Sequence, residues 1–460
     1  MCHVSKSLLL AAAMLVGCAH EPAPRPAAPV APAAFSVPGS AATAGWVEKF
    51  QDPALAALIV QARTGSPDLA IVRARQREAD AVLVAAGGSL QPVLSAQAGI
   101  DASRISLETG RIPFAAAVPR RTDVTGLGVK ASWELDFWGR KASTVAAAES
   151  DAQASAAAVA QADLALTAEV ARVWFAVRGA REQVACLETE FAARYREMEI
   201  VRRSVEAGIL PTDPLSSARL AAAQAKVDEG LGRRRLAAAE NALRALIGAA
   251  PGAALPAATQ RAAMPTFGAG LPSELLQHRP DVRAAALRFD AAVAREGAAL
   301  ADFYPSVTLT GQAGWQADPA SRIGQGAAGF WSLTPAIDLP IFDAGRREAN
   351  LEAARARIDG SGAEWTKSVL GAFREVEDAL ADLRELALQE DLTARVLAAV
   401  RSRLANAEAR RKAGLADENE LTLARRDEAL AARTLSMVVW ERRQVAVRLA
   451  AATGGGWSAQ

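Results

Sequence analysis

Two stretches of the chain say nearly the same thing. Around Gly208 it reads Arg203-Ser204-Val205-Glu206-Ala207-Gly208-Ile209-Leu210, followed by Leu215 and Arg219. Around Gly414 it reads Arg411-Lys412-Ala413-Gly414-Leu415, followed by Leu421 and Arg425, so matched residues are offset by 206. The same offset carries Gly139-Arg140 onto Gly345-Arg346. With a few extra residues, Gln91-Pro92-Val93 and Gln97-Ala98-Gly99 fall on Tyr304-Pro305-Ser306 and Gln312-Ala313-Gly314. A repeat of this period fixes the architecture before any single residue is weighed.

Each copy has an alternating region (91–138 and 304–342), a long Ala/Arg/Glu/Leu-rich region (140–207 and 346–413) and a shorter helical return (215–248 and 417–453). This pattern predicts a mainly α chain with a small β part, built as two structural repeats. The repeats occupy 46–250 and 279–457, joined by a linker at 251–278. Basic and acidic residues nearly balance, at 52 against 51, which argues against nucleic acid as a partner.

The N-terminal residues 1–17 read as a signal peptide: Lys6 supplies the positive region and Ser7 to Val16 the apolar run. The run is too short to span a bilayer as a mature helix. It ends Leu15-Val16-Gly17-Cys18, which resembles a bacterial lipobox. Cys18 is therefore the expected site of a covalent lipid, the one attached group the chain calls for. Ala19 follows it, where an aspartate would commonly retain a lipoprotein in the inner membrane. Residues 18–45, rich in Pro and Ala, read as an extended tether. Beyond Cys2 and Cys18 the only thiol is Cys186, so no disulfide framework is expected.

After the signal, every alanine-rich run is broken by Arg, Glu or Asp. A membrane crossing then requires a closed barrel. Leu127 to Phe137 and Val307 to Trp315 alternate apolar with polar or small residues, as barrel strands do. Partner strands are expected near Leu94 to Ile100 and near Trp331 to Leu339. Aromatics gather here, among them Trp133, Phe137, Trp138, Tyr304, Trp315, Trp331 and Phe342, as in interfacial girdles. A soluble four-stranded sheet with one buried face would show the same alternation. Four strands cannot close a membrane barrel, whereas three copies supply twelve, so the expected assembly is a symmetric ring.

No proline occurs between Pro119 and Pro211, nor after Pro340. A helix over 142–207 would rise roughly 100 Å. Gly208 and Gly414 mark helix ends, because glycine takes the left-handed conformation there. The helices are rich in alanine, which suits side-by-side seams around a wet lumen better than a filled four-helix core.

Three further stretches stand in order: Arg279-Pro280-Asp281-Val282-Arg283-Ala284-Ala285, Phe303-Tyr304-Pro305-Ser306-Val307-Thr308-Leu309, and Leu339-Pro340-Ile341-Phe342-Asp343-Ala344-Gly345-Arg346. With Thr453-Gly454-Gly455-Gly456-Trp457, this set resembles the outer-membrane factor family, the TolC-, OprM- and NodT-like exit ducts of bacterial tripartite efflux pumps. The resemblance covers about 46 to 457. It implies a homotrimer with a shared twelve-stranded membrane β-barrel and a periplasmic α-barrel built of the long helical hairpins. The tips at Gly208 and Gly414 would meet a periplasmic adaptor protein, itself bound to an inner-membrane transporter. Asp417, Glu418 and Glu420 would ring the pore constriction. Where relatives often carry another aspartate, this chain has Leu423. The plainer role for these acids is to favour the start of the last helix, whose N-terminal dipole attracts negative charge.

An enzyme would need a nucleophile, a base and an orienting group. Histidine occurs only at His3, His20 and His278, and no Gly-x-Ser-x-Gly elbow, Walker loop or Cys/His cluster is present. The expectation is no enzyme, no metal and no cofactor, but a passive duct in the outer membrane in contact with its lipid. The alternative is a lipid-anchored periplasmic coiled-coil scaffold without a pore, which leaves the paired alternating strands unexplained.

Overall fold

The computed structural model describes residues 24, 26, 29, 34–37, 45–104, 121–257, 263–268, 270, 272, 277–455 and 457. Two helices, α1 (Pro53–Gly65) and α2 (Pro67–Gly88), precede a hairpin of β1 (Val93–Arg104) and β2 (Arg121–Leu135). A helix of 67 residues follows, α3 (Arg140–Glu206), and returns as α4 (Asp213–Leu246). The second copy repeats the plan with α5 (Pro280–Ala301), β3 (Ser306–Ala317), β4 (Gly329–Asp338), α6 (Arg346–Lys412, again 67 residues) and α7 (Glu418–Ala452). The expected partner strand near Trp331 to Leu339 starts earlier, at Gly329, and Leu339 lies past its end. The repeat pattern marks no element over 46–90, where α1 and α2 stand.

The chain divides into two compact units. The first takes in Arg77–Ala154 and Ala286–Glu364, with the residues up to Pro26, and holds the sheet. The strands pair antiparallel in the order β1-β2-β3-β4, so the two repeats meet at β2 and β3. The turns from strand to long helix are built alike in the two copies. Asp136 accepts the N–H of Lys141 (3.1 Å) and of Ala142 (2.7 Å) at the start of α3. Asp343 accepts the N–H of Arg347 at 3.2 Å at the start of α6. Each carboxylate satisfies amide donors that a helix leaves unpaired in its first turn.

The second unit takes in Ala27–Gln76, Ser155–Ala285 and Trp365–Gln460. Its four long segments stand in the order α4, α3, α7, α6, and polar side chains link each neighbouring pair. Arg233 and Glu188 (2.9 Å) and Arg181 and Glu240 (2.8 Å) join α4 to α3. Glu182 accepts from Trp440 Nε1 (2.7 Å) and Ser436 (2.8 Å), and Arg433 meets Glu190 (3.0 Å), which joins α3 to α7. Arg442 with Glu390 (2.9 Å) and Arg401 with Glu428 (3.0 Å) join α7 to α6. Alanine-rich faces supply few bulky contacts, so polar links along the seams carry much of the register. The outer helices of the row, α4 and α6, each keep an open apolar edge: Leu220 and Val227 on one, Leu388, Leu392 and Val396 on the other.

The core of this unit gathers Phe50, Trp174, Phe175 and Trp440 with Leu55, Leu58 and Leu243. Asp52 caps α1 through the N–H of Ala54 and Leu55. Its other oxygen accepts from Trp174 Nε1 (2.8 Å) and Arg178 (2.7 Å). The Asp52–Arg178 pair is buried, and a buried carboxylate is tolerated only when paired and hydrogen-bonded in this way.

Part of the tether over 18–45 differs from expectation. Phe35 is 5% exposed and packs in the core around Val369, Phe373 and Val376. An aromatic ring among prolines and alanines has apolar area to bury, and α6 offers it a place.

Candidate functional site

The strand register sorts every side chain of the sheet. Partners directly opposite across an antiparallel pair share a face, and neighbours along a strand alternate. Ser95, Lys130, Gln312 and Ser332 therefore lie on one face at one level. Above and below them on that face come Gln97, Gly128, Gly314 and Phe330, then Val93, Ser132, Thr310 and Thr334, so the face is mainly polar or small. The other face holds Leu94, Ala96, Ala98 and Ile100 of β1, Leu127, Val129 and Trp133 of β2, Val307, Leu309 and Trp315 of β3, and Trp331, Leu333 and Ile337 of β4. This face is uncovered: Trp331 is 80% exposed, Ile337 74%, Leu94 72% and Ile100 71%. A soluble sheet buries its apolar face. A sheet with one polar and one bare apolar face is built for water on one side and lipid on the other. Among the described residues, no helix is long and apolar enough to cross a membrane.

Aromatic stacking closes the junction below the sheet. Trp138, at the end of the first copy's strand region, and Tyr304, at the start of the second's, stack at 4.8 Å, and Trp138 Nε1 donates to the Pro305 carbonyl at 2.8 Å. Arg140 binds Glu134 at 2.6 Å, and that bond, opposed by partial burial, holds the guanidinium above its usual pKa.

At the far end of the hairpins, Gly208 (φ 72°) and Gly414 (φ 73°) both take the left-handed conformation. Ile209 N–H returns to the Ser204 carbonyl and Leu415 N–H to the Arg410 carbonyl, both at 2.8 Å. The three acids past Gly414 are each engaged. Asp417 is the N-cap of α7, accepting the Glu420 N–H at 2.7 Å. Glu420 binds Arg410 at 2.6 Å, and Glu418 binds Arg196 of α3 at 3.0 Å. Nothing in the local sequence marks Arg196 and Arg410 as partners of these acids. One partner sits on another hairpin, and the other sits ten residues away across a turn. Beside Glu418 an open groove of about 470 Å³ is lined by Phe191, Tyr195, Arg196, Glu199 and Arg203. Cys18 lies outside the described residues.

Two of the stretches picked out in the sequence meet at one place. Arg279, buried, binds Asp281 (2.6 Å) and Glu375 (2.8 Å) and donates to the Ala452 carbonyl near the end of α7 (2.9 Å). His278 Nδ1 lies 3.1 Å from the Trp457 carbonyl. Gly454 (φ 86°) follows α7 so closely under His278 that a Cβ there would stand 1.9 Å from the His278 carbonyl oxygen. His278 is thus a packing residue, and no group of His, Cys, Asp or Glu suited to a metal occurs among the described residues.

The outer membrane efflux protein family matches residues 58–249 and 271–455. TtgC of Pseudomonas putida, a probable efflux pump outer membrane protein, is 30% identical over 474 residues, covering 99% of this chain and 96% of its own. CusC of Escherichia coli, a cation efflux system protein, is 29% identical over 459 residues, 96% of each. The open state of the MtrE outer membrane channel of Neisseria gonorrhoeae superimposes with a TM-score of 0.82 at 28% identity, covering 96% of this chain and 98% of that one. The outer-membrane channel OprN superimposes with a TM-score of 0.83 at 27% identity, covering 96% and 99%. Both repeats are matched and the sheet is two-faced as a membrane wall must be; the chain belongs to the outer membrane efflux protein family, as an efflux channel of the outer membrane.

Proposed function

We propose that three copies share one twelve-stranded barrel and form a passive exit duct. The bare apolar face of a four-stranded sheet with open edges at β1 and β4 carries this reading. Unpaired backbone groups in lipid cost several kcal/mol each, so those edges must pair with neighbouring copies. The open stripes on α4 and α6 support the same ring closure, α6 of one copy lying against α4 of the next. A scaffold without a pore would leave the sheet's apolar face without purpose. Energy and selection reside in an inner-membrane transporter, and the chain performs no chemistry of its own.

A periplasmic adaptor docks at the tips around Gly208 and Gly414, where the groove between Tyr195 and Glu418 offers aromatic and charged contacts. Lipid on Cys18 adds a second anchor. Asp417, Glu418 and Glu420, repeated three times, narrow and charge the pore, with Arg196 and Arg410 offsetting part of that charge. Native mass spectrometry in detergent tests the reading: a trimer is expected, and a stable monomer or dimer overturns it.

A further inference from the structure

Charge on the polar face of the sheet is sparse. By register, Asp101 of β1, Lys130 and Glu134 of β2 and Asp338 of β4 stand there, and Lys130 is the one cation on that face among the described residues. It lies at mid-height. Its neighbours on the face are Ser95 and Gln312 to either side and Gly128 and Ser132 along its own strand, all uncharged. Close strand approach keeps the glycine small: a Cβ at Gly128 would stand 2.8 Å from the Ala313 carbonyl oxygen, and one at Gly314, opposite it, would run into Leu127. The wall beside Lys130 is therefore low. It opens into a basin of about 520 Å³ lined by Gln97, Gln312, Gln316 and Phe330, with Asp101 at its outer end.

Strand rise separates the four charges. Four residues along β2 carry Glu134 about 13 Å from Lys130 toward the helices, where Arg140 (2.6 Å) and Lys141 (3.6 Å) already offset it. Asp101 pairs with Val124 and Asp338 with Ser306, each six residues from the level of Lys130, or about 20 Å. Exposed charges are screened over about 8 Å at physiological salt. The acids thus leave the potential at mid-height to Lys130. Three-fold symmetry repeats that lysine at one level, and a ring of lysines in a pore favours anions.

We propose that Lys130 forms a positive ring halfway through the membrane barrel, a charge filter opposite in sign to the acids past Gly414. It attracts small anions, and the carboxylate or phosphate groups of exported molecules, into the exit section. The inference rests on the reading of the sheet as the wall of a water-filled, three-copy duct.

The test measures the potential locally, so the tips do not dominate it. The full chain in outer-membrane vesicles carries Cys186→Ser and a reporter thiol, Gln312→Cys, directly opposite Lys130. Two small methanethiosulfonates, one sulfonated and one with a trimethylammonium group, label it, and Cys186→Ser alone gives the background. The ratio of the two rates cancels changes in thiol reactivity. It should favour the anionic reagent, fall about threefold in Lys130→Gln and about tenfold in Lys130→Glu, and lose these differences in 1 M salt. Ser95→Cys, on the other side of Lys130, should follow the same order. Ala313→Cys, one residue on and facing lipid, should react with neither reagent. A reactive Gln312→Cys whose ratio ignores Lys130→Gln and Lys130→Glu overturns the ring and leaves the duct standing. An assembled trimer in which Gln312→Cys and Ser95→Cys resist both reagents, or Ala313→Cys reacts as fast as they do, overturns the duct reading and the ring together.

Discussion

The two hairpin tips begin from the same device and end differently. Both helices stop at a left-handed glycine with the next N–H folded back onto the same relative carbonyl. Past that point the first return is set by Pro211 and Pro214, and Thr212 at the cap of α4 makes no side-chain bond. The second return is held by charge: Asp417 caps α7, Arg410 binds both Glu420 and the Leu415 carbonyl, and Glu418 reaches Arg196 on α3. Ring-stiffened backbone needs no neighbours. A tip held by ion pairs answers to salt and competing partners. The repeat has kept the turn and let the fastening diverge.

The largest effect should come from the turn itself. No atom lies within 4 Å of a Cβ built at Gly208 or Gly414, so a side chain there meets open space and suffers only from the backbone angle. That angle costs an ordinary residue about 1–2 kcal/mol, and a β-branched one more. Gly414→Val should abolish export while trimer and membrane level persist. Drug susceptibility and native mass spectrometry check this, and full resistance in Gly414→Val cells sinks the tip assignment. Gly208→Val, with the same φ and the same open space, tests whether the two tips are also equal in function.

Charge comes next, because among the described residues it is the second tip whose ion pairs fasten the return past the turn. In planar bilayers the duct should be cation-selective, and multivalent cations added on the tip side should block it. Glu420→Lys should reduce or reverse the selectivity. Arg410→Ala should deepen the block by freeing Glu420. Unchanged selectivity and block in the triple Asp417/Glu418/Glu420→Ala variant would leave these acids only a role at the start of α7.

A smaller difference should appear in stability. Asp417→Ala removes an observed cap and should cost about 1 kcal/mol. Thr212→Ala removes none and should be close to neutral in thermal melts. Equal losses at the two positions would contradict the different fastenings.

The smallest effect compares equivalent positions inside the hairpins. Cys186 stands where the second copy has Leu392. Burial, then the nearby Glu182 and Glu428, pushes the thiol pKa up. Because burial disfavours the thiolate, the thiol contributes nothing while it is protonated in both states, and stability falls as pH climbs from the ordinary thiol pKa toward the raised one. Cys186→Ser should therefore flatten the alkaline end of the stability profile and leave neutral pH unchanged.

The repeat, the alternating strands and the turning glycines were legible because each is a local pattern with a fixed period. Gly208 and Gly414 announce themselves by residue type alone. The pairs that join distant segments were not legible. Asp52 finds Trp174 and Arg178 more than a hundred residues on, and Arg196 finds Glu418 on another hairpin; nothing in the spacing of such residues records the fold between them. Phe35 was hidden by its company, since a proline-rich segment reads as linker whatever single ring it carries. The acids past Gly414 were found by position, but their partners decide how much charge they present.

The sheet's register has a consequence for how the chain is made. Its central pair, β2 with β3, joins residues roughly 190 positions apart, Leu127 opposite Trp315 among them. The β1–β2 hairpin can form early, but its partner arrives only after α3, α4 and α5 have crossed into the periplasm. Until then half a membrane wall, with Leu94, Ile100, Leu127 and Trp133 on its bare face, waits in water beside an unpaired edge. Synthesis order thus creates a window of vulnerability to aggregation, and periplasmic holdases should bind this chain longest while the second repeat is still being delivered.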